Sequence, residues 1–419
     1  VRIAFIRTTD IQQARPTLED ALKEKIAVHE MKLFYIDKDS SNVSWVPCEV
    51  EKLDINLSVH EMSERIREWQ PDVVISISLP DNNSLRDALI KRYLKEHNIS
   101  VIIHPLESMS ILCNKWETVN YLRIHGFDVP NSFLIVGDLI NKRGVEYECY
   151  YEIIMQRAKE LNYPVLVKPL WDSMSLGIKK FETCEDFSAW LEHNVPVTDM
   201  LVEEFIVGEL FGIEVVGEKG NYYCQPLVKK SMTSEDEHLK PFDHVRFGPI
   251  THPKYDVPAL KANLLKIADS LNLFGNVQVD MMFKDGVFYI IELNPRVSGL
   301  TNLSSSISGH NTYLQLFRLA TNEWNVPDAN INSMMCKAEV PLFSVNHEDI
   351  ELLKNEYDVE SVNEVYYHDG NTQTKMIIEG SSFNNILLNL KKINNHFKII
   401  DVETIKNFSV ALENEDCLR

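Results

Sequence analysis

The first hundred residues alternate two periodicities, and this limits the fold more than any other feature of the chain. Ile3-Ala4-Phe5-Ile6, Lys32-Leu33-Phe34-Tyr35-Ile36, Val73-Val74-Ile75-Ser76-Ile77 and Val101-Ile102-Ile103 are short apolar runs of strand length and composition. Helical stretches separate them: one from Thr17, one carrying Met62, Ile66 and Trp69, and one with Leu85, Leu89 and Tyr93 along a face. Strands spaced by helices imply βαβ units and a parallel sheet. The pattern predicts an N-terminal α/β domain over residues 1–112.

The next stretch opens with a helix-start signature, Asn114 followed three residues later by Glu117, and Gly126 fits as the helix's C-terminal cap. Residues 148–162 read as a helix burying Ile153, Ile154, Ala158 and Leu161, and Pro164 to Pro169 as a strand ending in a turn. From about residue 200 the spacing predicts paired strands, Met200 to Phe205, Phe211 to Gly217 and Tyr222 to Val228, in one antiparallel sheet. Residues 231–250 are polar and read equally as a solvated loop or a lid. A core helix is expected over 259–271 and a hairpin over 276–293. This places a central lobe at 113–202 and a C-terminal lobe at 203–419, with a small terminal subdomain from about 330.

Net charge is −20, which opposes nucleic acid as a partner, because a phosphate backbone needs clustered Lys and Arg. A small anionic substrate needs only a local basic pocket. No segment approaches the roughly 20 apolar residues of a membrane span, and no secretory leader opens the sequence. Seven cysteines without a Cys-x-x-Cys pair suit a reducing cytoplasm better than a zinc ribbon or disulfide framework.

The chemistry concentrates in the hairpin. With Lys284-Asp285-Gly286 as its loop, Phe283 pairs with Val287, Gln278 with Glu292, and Asp280 with Ile290. Asp280 and Glu292 are then diagonal neighbours on one face, roughly 7 Å apart at the backbone, and Asn294 continues that face. Carboxylates gathered on a half-buried sheet repel one another and lose solvation, and a hard cation removes both costs. Mg²⁺ commonly takes one or two carboxylates plus substrate phosphate oxygens. Arg296 follows directly and can hold a carboxylate, a phosphate or a developing oxyanion.

Asp280 followed by Glu292-Leu293-Asn294-Pro295-Arg296 resembles the metal-binding element of the ATP-grasp superfamily, in particular its carboxylate–amine ligases. The resemblance implies an ATP-grasp fold with an N-terminal parallel-sheet domain and two lobes. It implies two Mg²⁺, or Mn²⁺ in their place, on Asp280, Glu292 and Asn294, bridging ATP phosphates, and Arg296 as the catalytic residue. Other pieces stand upstream in family order. Lys115 and Lys168 resemble nucleotide-contacting lysines, and Ser173-Met174-Ser175-Leu176-Gly177 resembles the phosphate-covering loop, with Ser173, Ser175 and Gly177 as its contacts. Leu201 to Glu209 resembles the adenine-receiving hinge, which assigns Glu203, Glu204, Phe205 and Ile206 to the base and Glu209 to ribose. Lys229 or Lys230 supplies a third phosphate-directed lysine; adjacency in sequence does not choose, and Lys229 is carried as the candidate. No P-loop and no kinase His-Arg-Asp or Asp-Phe-Gly element occurs.

Length and tail resemble the dipeptide-forming L-amino-acid ligases, which implies small acid and amine substrates, amino acids among them, and allows a homodimer. Ser298, Gly299 and Ser305 lie in a hydroxyl-rich stretch that either binds a substrate carboxylate or ammonium or caps the helix at 311–322. His244 and Arg246, late in the 231–250 segment, and His252, just past it, are further substrate-facing candidates. An ATP-grasp kinase, and a ligase acting on a carrier-bound or non-amino-acid acid, remain as alternatives.

Overall fold

The computed structural model describes residues 1–36, 42–144, 148–171, 177–231, 244–328, 335–343, 345–366 and 372–413. Parallel pairing organises the N-terminal domain. Strands β1 (Arg2–Thr8), β2 (Glu30–Ile36), β3 (Glu49–Lys52), β4 (Val73–Ser76) and β5 (Ser100–Ile102) form a five-stranded sheet in the order β3-β2-β1-β4-β5. β1, β2 and β4 are almost wholly buried because helices cover both faces of the sheet. β3 went unread in the sequence: Glu49, Val50, Glu51 and Lys52 form an edge strand with no fully buried residue, so it lacks the apolar run that marked the others. Helix Asp81–Lys95 buries Ser84, Asp87, Ala88, Ile90 and Leu94, whereas Leu89, expected on its inner face, is exposed.

Helix Lys115–Ile124 starts where expected. The Asn114 side chain accepts from the amides of Trp116 and Glu117, and Gly126, at φ +78°, lies just beyond its end. Strands β6 (Ser132–Ile135), β7 (Val165–Pro169), β8 (Lys179–Phe181) and β9 (Met200–Glu204) form a four-stranded antiparallel sheet in the order β6-β9-β7-β8. Helix Tyr150–Lys159 packs here through Ile154 and Ala158, while Ile153 faces out. The strand beginning at Met200 was expected to pair with those after Phe211. It belongs to this other sheet, because the turn at 205–208 carries the chain from one lobe to the next.

Strands β10 (Glu209–Glu218), β11 (Asn221–Cys224), β12 (Val228–Lys230), β13 (Arg246–Gly248), β14 (Gly275–Lys284), β15 (Val287–Asn294), β16 (Cys336–Leu342), β17 (Val359–Tyr366) and β18 (Thr372–Gly380) make the largest sheet. Its order is β15-β14-β10-β12-β13-β16-β18-β17, with β11 on β10. Thus the strands beyond residue 330 extend the sheet that carries the hairpin, through β13 and β16. One face packs on the molecule's largest apolar core, including Phe211, Ile213, Phe247, Val279, Met281 and helix Val257–Ser270. Among the described residues no helix is long and apolar enough to cross a membrane.

The β14–β15 register differs from the sequence expectation. The turn has two residues, Asp285 and Gly286, both at positive φ, so Lys284 pairs with Val287 and Phe283 with Phe288. An irregularity between Asp280 and Met281 then shifts the pairing, and Asp280 stands directly opposite Glu292, with Gln278 opposite Asn294.

Gly208 closes the lobe-to-lobe turn against this hairpin. A Cβ there would lie 2.3 Å from the Phe283 carbonyl oxygen, a backbone atom that cannot swing aside. Gly208→Ala should therefore lower stability by about 2 kcal/mol, read as a reduced midpoint in urea unfolding with an unchanged slope.

Candidate active site

Alternation along β10, β12, β14 and β15 sorts the charged residues onto two faces. Gly212 pairs with Asp280, and its missing side chain leaves room: a Cβ would meet Asp280 Oδ1 at 3.3 Å. Asp280 pairs with Glu292, and Gln278 with Asn294, on the same face. The Asn294 amide donates to Gln278 Oε1 at 2.9 Å and to Glu292 Oε2 at 3.3 Å. Its own oxygen accepts from Arg296 Nη2 at 3.0 Å. Arg296 Nε donates at 2.5 Å to Asp81 Oδ1, at the start of an N-terminal-domain helix, so the guanidinium ties two domains beside the acids.

Basic groups reach this face from separate elements. Lys230, on β12, holds Asp280 Oδ1 at 2.6 Å. Lys115, at the start of its helix, lies 3.4 Å from Glu292 Oε1. Lys168, on β7, is paired with the buried Glu203 on β9. Burial opposes ionisation of Glu292, but Lys115, Lys168 and Arg296, in that order, hold its carboxyl below the usual range. Central lobe, C-terminal lobe and N-terminal domain therefore each contribute charge to one cleft.

Beside the acids lies an apolar patch of Ile206, Leu210 and Met282, flanked by Tyr289 and Ile291. Gly177 is exposed at φ +72° at the end of the loop whose serines, Ser173 and Ser175, lie outside the described residues.

Several expected contacts do not come to this face. Glu204 accepts from the Asn162 amide at 2.8 Å and from the side chains of Asn162 and Asn131, which places it on the sheet's other side as a structural acceptor. Phe205 gives its N–H to the Pro164 carbonyl at 2.8 Å and lies under Lys180. Glu209 is bound by Tyr255 Oη, by Lys229 at 2.9 Å and by Lys254 at 3.4 Å, against the apolar core. Lys229 is buried there over the Phe211 ring. The lysine on the acid face is Lys230; alternation puts Lys229 behind the sheet. His252 caps the turn Pro253–Tyr255 and packs edge-on to Tyr255, also behind it, and His244 is buried. Ser305 lies in helix Thr301–Ser308, where its hydroxyl bonds Thr312. Arg246 lies beyond Lys230 on the acid side, bonded to the Gly299 carbonyl at 2.7 Å.

Sequence inspection missed Glu214. It is fully buried two residues beyond Gly212 and accepts at Oε1 from Ser298 Oγ at 3.0 Å, Thr301 Oγ1 at 2.6 Å and Asn276 Nδ2 at 3.2 Å. It thus fixes the loop that follows Arg296. Its sequence signal was an acid within the otherwise apolar run Leu210–Gly217.

Residues 112–300 match the model of the ATP-grasp domain. They form an ATP-grasp domain. Carbamoyl-phosphate synthase of Methanobrevibacter smithii is 23% identical over 261 residues, covering 61% of this chain and 66% of that protein. D-alanine–D-alanine ligase of Syntrophotalea carbinolica is 28% identical over 179 residues, covering 37% and 55%. The chain thus spans between about half and two thirds of the length of these relatives. The L-amino acid ligase of Bacillus licheniformis superposes with TM-score 0.68 over 94% of this chain and 97% of that one, at 16% identity. The biotin carboxylase domain of Hydrogenobacter thermophilus 2-oxoglutarate carboxylase, solved with MgADP and bicarbonate, gives 0.69 over 94% and 90%, at 14% identity. Both have the fold built here around the ATP-grasp domain.

The donor set of this domain suits a hard divalent cation. Two opposed carboxylates with an adjacent amide match the one or two carboxylates that Mg²⁺ takes when phosphate oxygens complete its shell. Among the described residues no three or more His, Cys, Asp or Glu side chains gather, so softer multi-ligand sites have no counterpart there.

Burial raises Glu214 to about 7, against the hydrogen bonds of Thr301, Ser298 and Asn276. A carboxyl raised in the folded state binds its proton more tightly than in the unfolded chain, so stability is present below the unfolded value of 4.5 and lost as pH rises toward 7. Glu214→Gln should remove that loss. Its melting temperature, scanned from pH 4.5 to 8, should fall less steeply than that of the parent.

Proposed function

We propose that this protein is an ATP-dependent carboxylate–amine ligase that joins amino acids through an acyl phosphate, releasing ADP and phosphate. The observation that carries this reading is Asp280 facing Glu292 within reach of cations from three separate elements, with Arg296 beside them. Such a site attracts a polyphosphate and a divalent ion together, because neither the carboxylates nor the lysines are neutral without a partner of opposite charge.

The apolar patch of Ile206, Leu210 and Met282 offers a dry surface for a purine ring beside the acid face. Lys168 and Lys115 offset phosphate charge, and Lys230 is placed to exchange Asp280 for a phosphate oxygen. Asp280 and Glu292, with Asn294, would hold Mg²⁺, which supplies Lewis-acid stabilisation of the transferring phosphoryl group. The γ-phosphoryl passes to an oxygen of the substrate carboxylate. The amine nitrogen then attacks the acyl carbon, the bond from that carbon to the phosphate oxygen breaks, and the amine's proton is lost. Arg296, fixed by Asp81 and Asn294, is positioned for the charge that develops on the acyl oxygen. Its link to the N-terminal domain would assemble this part of the site only when the domains are docked, which limits water's access to the acyl phosphate.

The relatives support amide formation without agreeing on substrate: one is a D-alanine–D-alanine ligase and one structural neighbour an L-amino acid ligase, while another relative is a carbamoyl-phosphate synthase. Phosphate release measured with amino acids singly and in pairs, followed by product mass, tests the reading. The expected product is a dipeptide, one water lighter than its two parts. Phosphate retained on the product would mean a kinase instead. Glu292→Ala should reduce turnover by at least about 100-fold, and full turnover in that variant would remove the metal assignment.

A further inference from the structure

The acid face of the sheet continues past Lys230 into a second polar site. Register places Lys230 opposite Arg246, Arg246 opposite Glu339, and Glu339 opposite Ile377, so these residues share a face. Lys375 lies two residues before Ile377 and joins them: its Nζ donates to Glu339 Oε1 at 3.1 Å. Arg246 Nη1 reaches the same oxygen at 3.3 Å. Above this row is a small cavity of about 30 Å³, lined among others by Gln13, Arg246, Asn302, Glu339, Asn363 and Lys375.

Among the described residues that line this cavity, charge is unbalanced. Arg246, Glu339 and Lys375 keep only 9%, 7% and 11% of their side-chain surface, and two cations share one carboxylate oxygen. Burial, and next the charge of Arg246, push Lys375 down to about 8 even though Glu339 pulls the other way. A chain of net charge −20 has thus gathered buried positive charge at one spot, where an anion would be held strongly.

The cavity also lies where a parallel sheet binds ligands. Gln13 belongs to the short helix Ile11–Ala14 that follows β1, and β1 sits between β2 and β4, where the connections diverge to opposite sides. This segment is held over the C-terminal sheet: Asn363 Nδ2 donates to the Gln12 carbonyl at 2.9 Å, and Asn302 Nδ2 to the Gln13 and Arg15 carbonyls at 3.1 and 2.9 Å.

The geometry points to this cavity as the subsite for the carboxylate that is not activated, the α-carboxylate of the amine-donating amino acid, held by Arg246 and Lys375. The assignment rests on the ligase reading above. A carboxylate that becomes an acyl phosphate must reach Asp280 and Glu292. Arg246 is three strands away from Asp280, by way of β10 and β12, or about 14 Å of backbone spacing. An anion kept here stays clear of phosphoryl transfer, as the carboxyl end of the product must. Glu339 is the positioning residue that orients both cations.

The test compares half-saturating concentrations of the acid, the amine and ATP in the parent, Lys375→Met and Arg246→Gln, with Lys375→Gln in reserve should the first fail to fold. For both variants we expect at least a tenfold rise for the amine partner and less than a twofold change for the acid and ATP. In the parent, replacing the amine partner by its carboxamide should cost as much, and Lys375→Met should add no further loss with the amide. Unchanged amine saturation, or an equal rise for all three substrates, overturns the assignment. If no amino-acid pair releases phosphate, the ligase reading falls by itself, and calorimetry with a panel of L-amino acids and their carboxamides then judges the cavity separately. Carboxylate-dependent binding lost in Lys375→Met keeps it as an anion subsite; equal binding of acid and amide, or none, removes it.

Discussion

Two carboxylates forced to face each other across a hairpin are the constraint around which the molecule is arranged. Asp280 and Glu292 occupy opposed positions on β14 and β15 because the turn is short and one irregularity shifts the ladder. Left alone, the pair would repel, and one member would take up a proton. Each instead carries its own lysine, Lys230 from the same sheet and Lys115 from the central lobe, and Glu292 stays ionised. Those lysines are exchangeable counter-charges. On the proposed reading a metal ion would take the carboxylates while phosphate took the lysines, and the resting ion pairs would mark the positions of both ligands.

The N-terminal parallel sheet and the hairpin were legible because each rests on a local pattern: apolar runs spaced by helices, and two apolar strands meeting at Asp-Gly. What the sequence hid was non-local. β9 reads like β10, but its partners on β7 and β6 are 31 to 71 residues upstream, and nothing within Met200 to Glu204 names them. β3 was hidden for the opposite reason, since an edge strand buries too little to show a pattern. The hairpin register failed by one residue on each count, turn length and irregularity. Those errors do not cancel for Asp280: Glu292, expected on the diagonal, is directly across.

At the candidate site, residue types were legible and faces were not. Lys229 and Lys230 are indistinguishable as adjacent lysines, yet a strand sends them to opposite sides. Only the pairing of Leu210 with Lys230 and of Gly212 with Asp280 shows which one meets the acids. The same parity removes Glu209 from the cleft and puts Leu210 there, and it turns Glu204 toward Asn162 while Glu203 meets Lys168. One-residue ambiguities of this kind cannot be settled by motif order, because a motif records spacing and not the side of the sheet.

The same parity explains why the cleft and the cavity beyond it form one system. Leu210, Lys230, Arg246 and Glu339 are consecutive register partners across β10, β12, β13 and β16, with side chains on a single face, and Gly212 opposite Asp280 lies two residues along β10 from Leu210. Along this row the N-terminal domain bonds to the C-terminal lobe through Asp81 on Arg296 and through the segment after β1 on Asn302 and Asn363. Gly299 stands between, with its carbonyl on Arg246, and Ser298 and Thr301 on either side of it bind the buried Glu214. A displacement of the loop after Arg296 would therefore move the guanidinium beside the acids and the guanidinium of Arg246 together. Rigid coupling of this kind suits a reaction in which one group must be activated at one end of the face while its partner is held at the other.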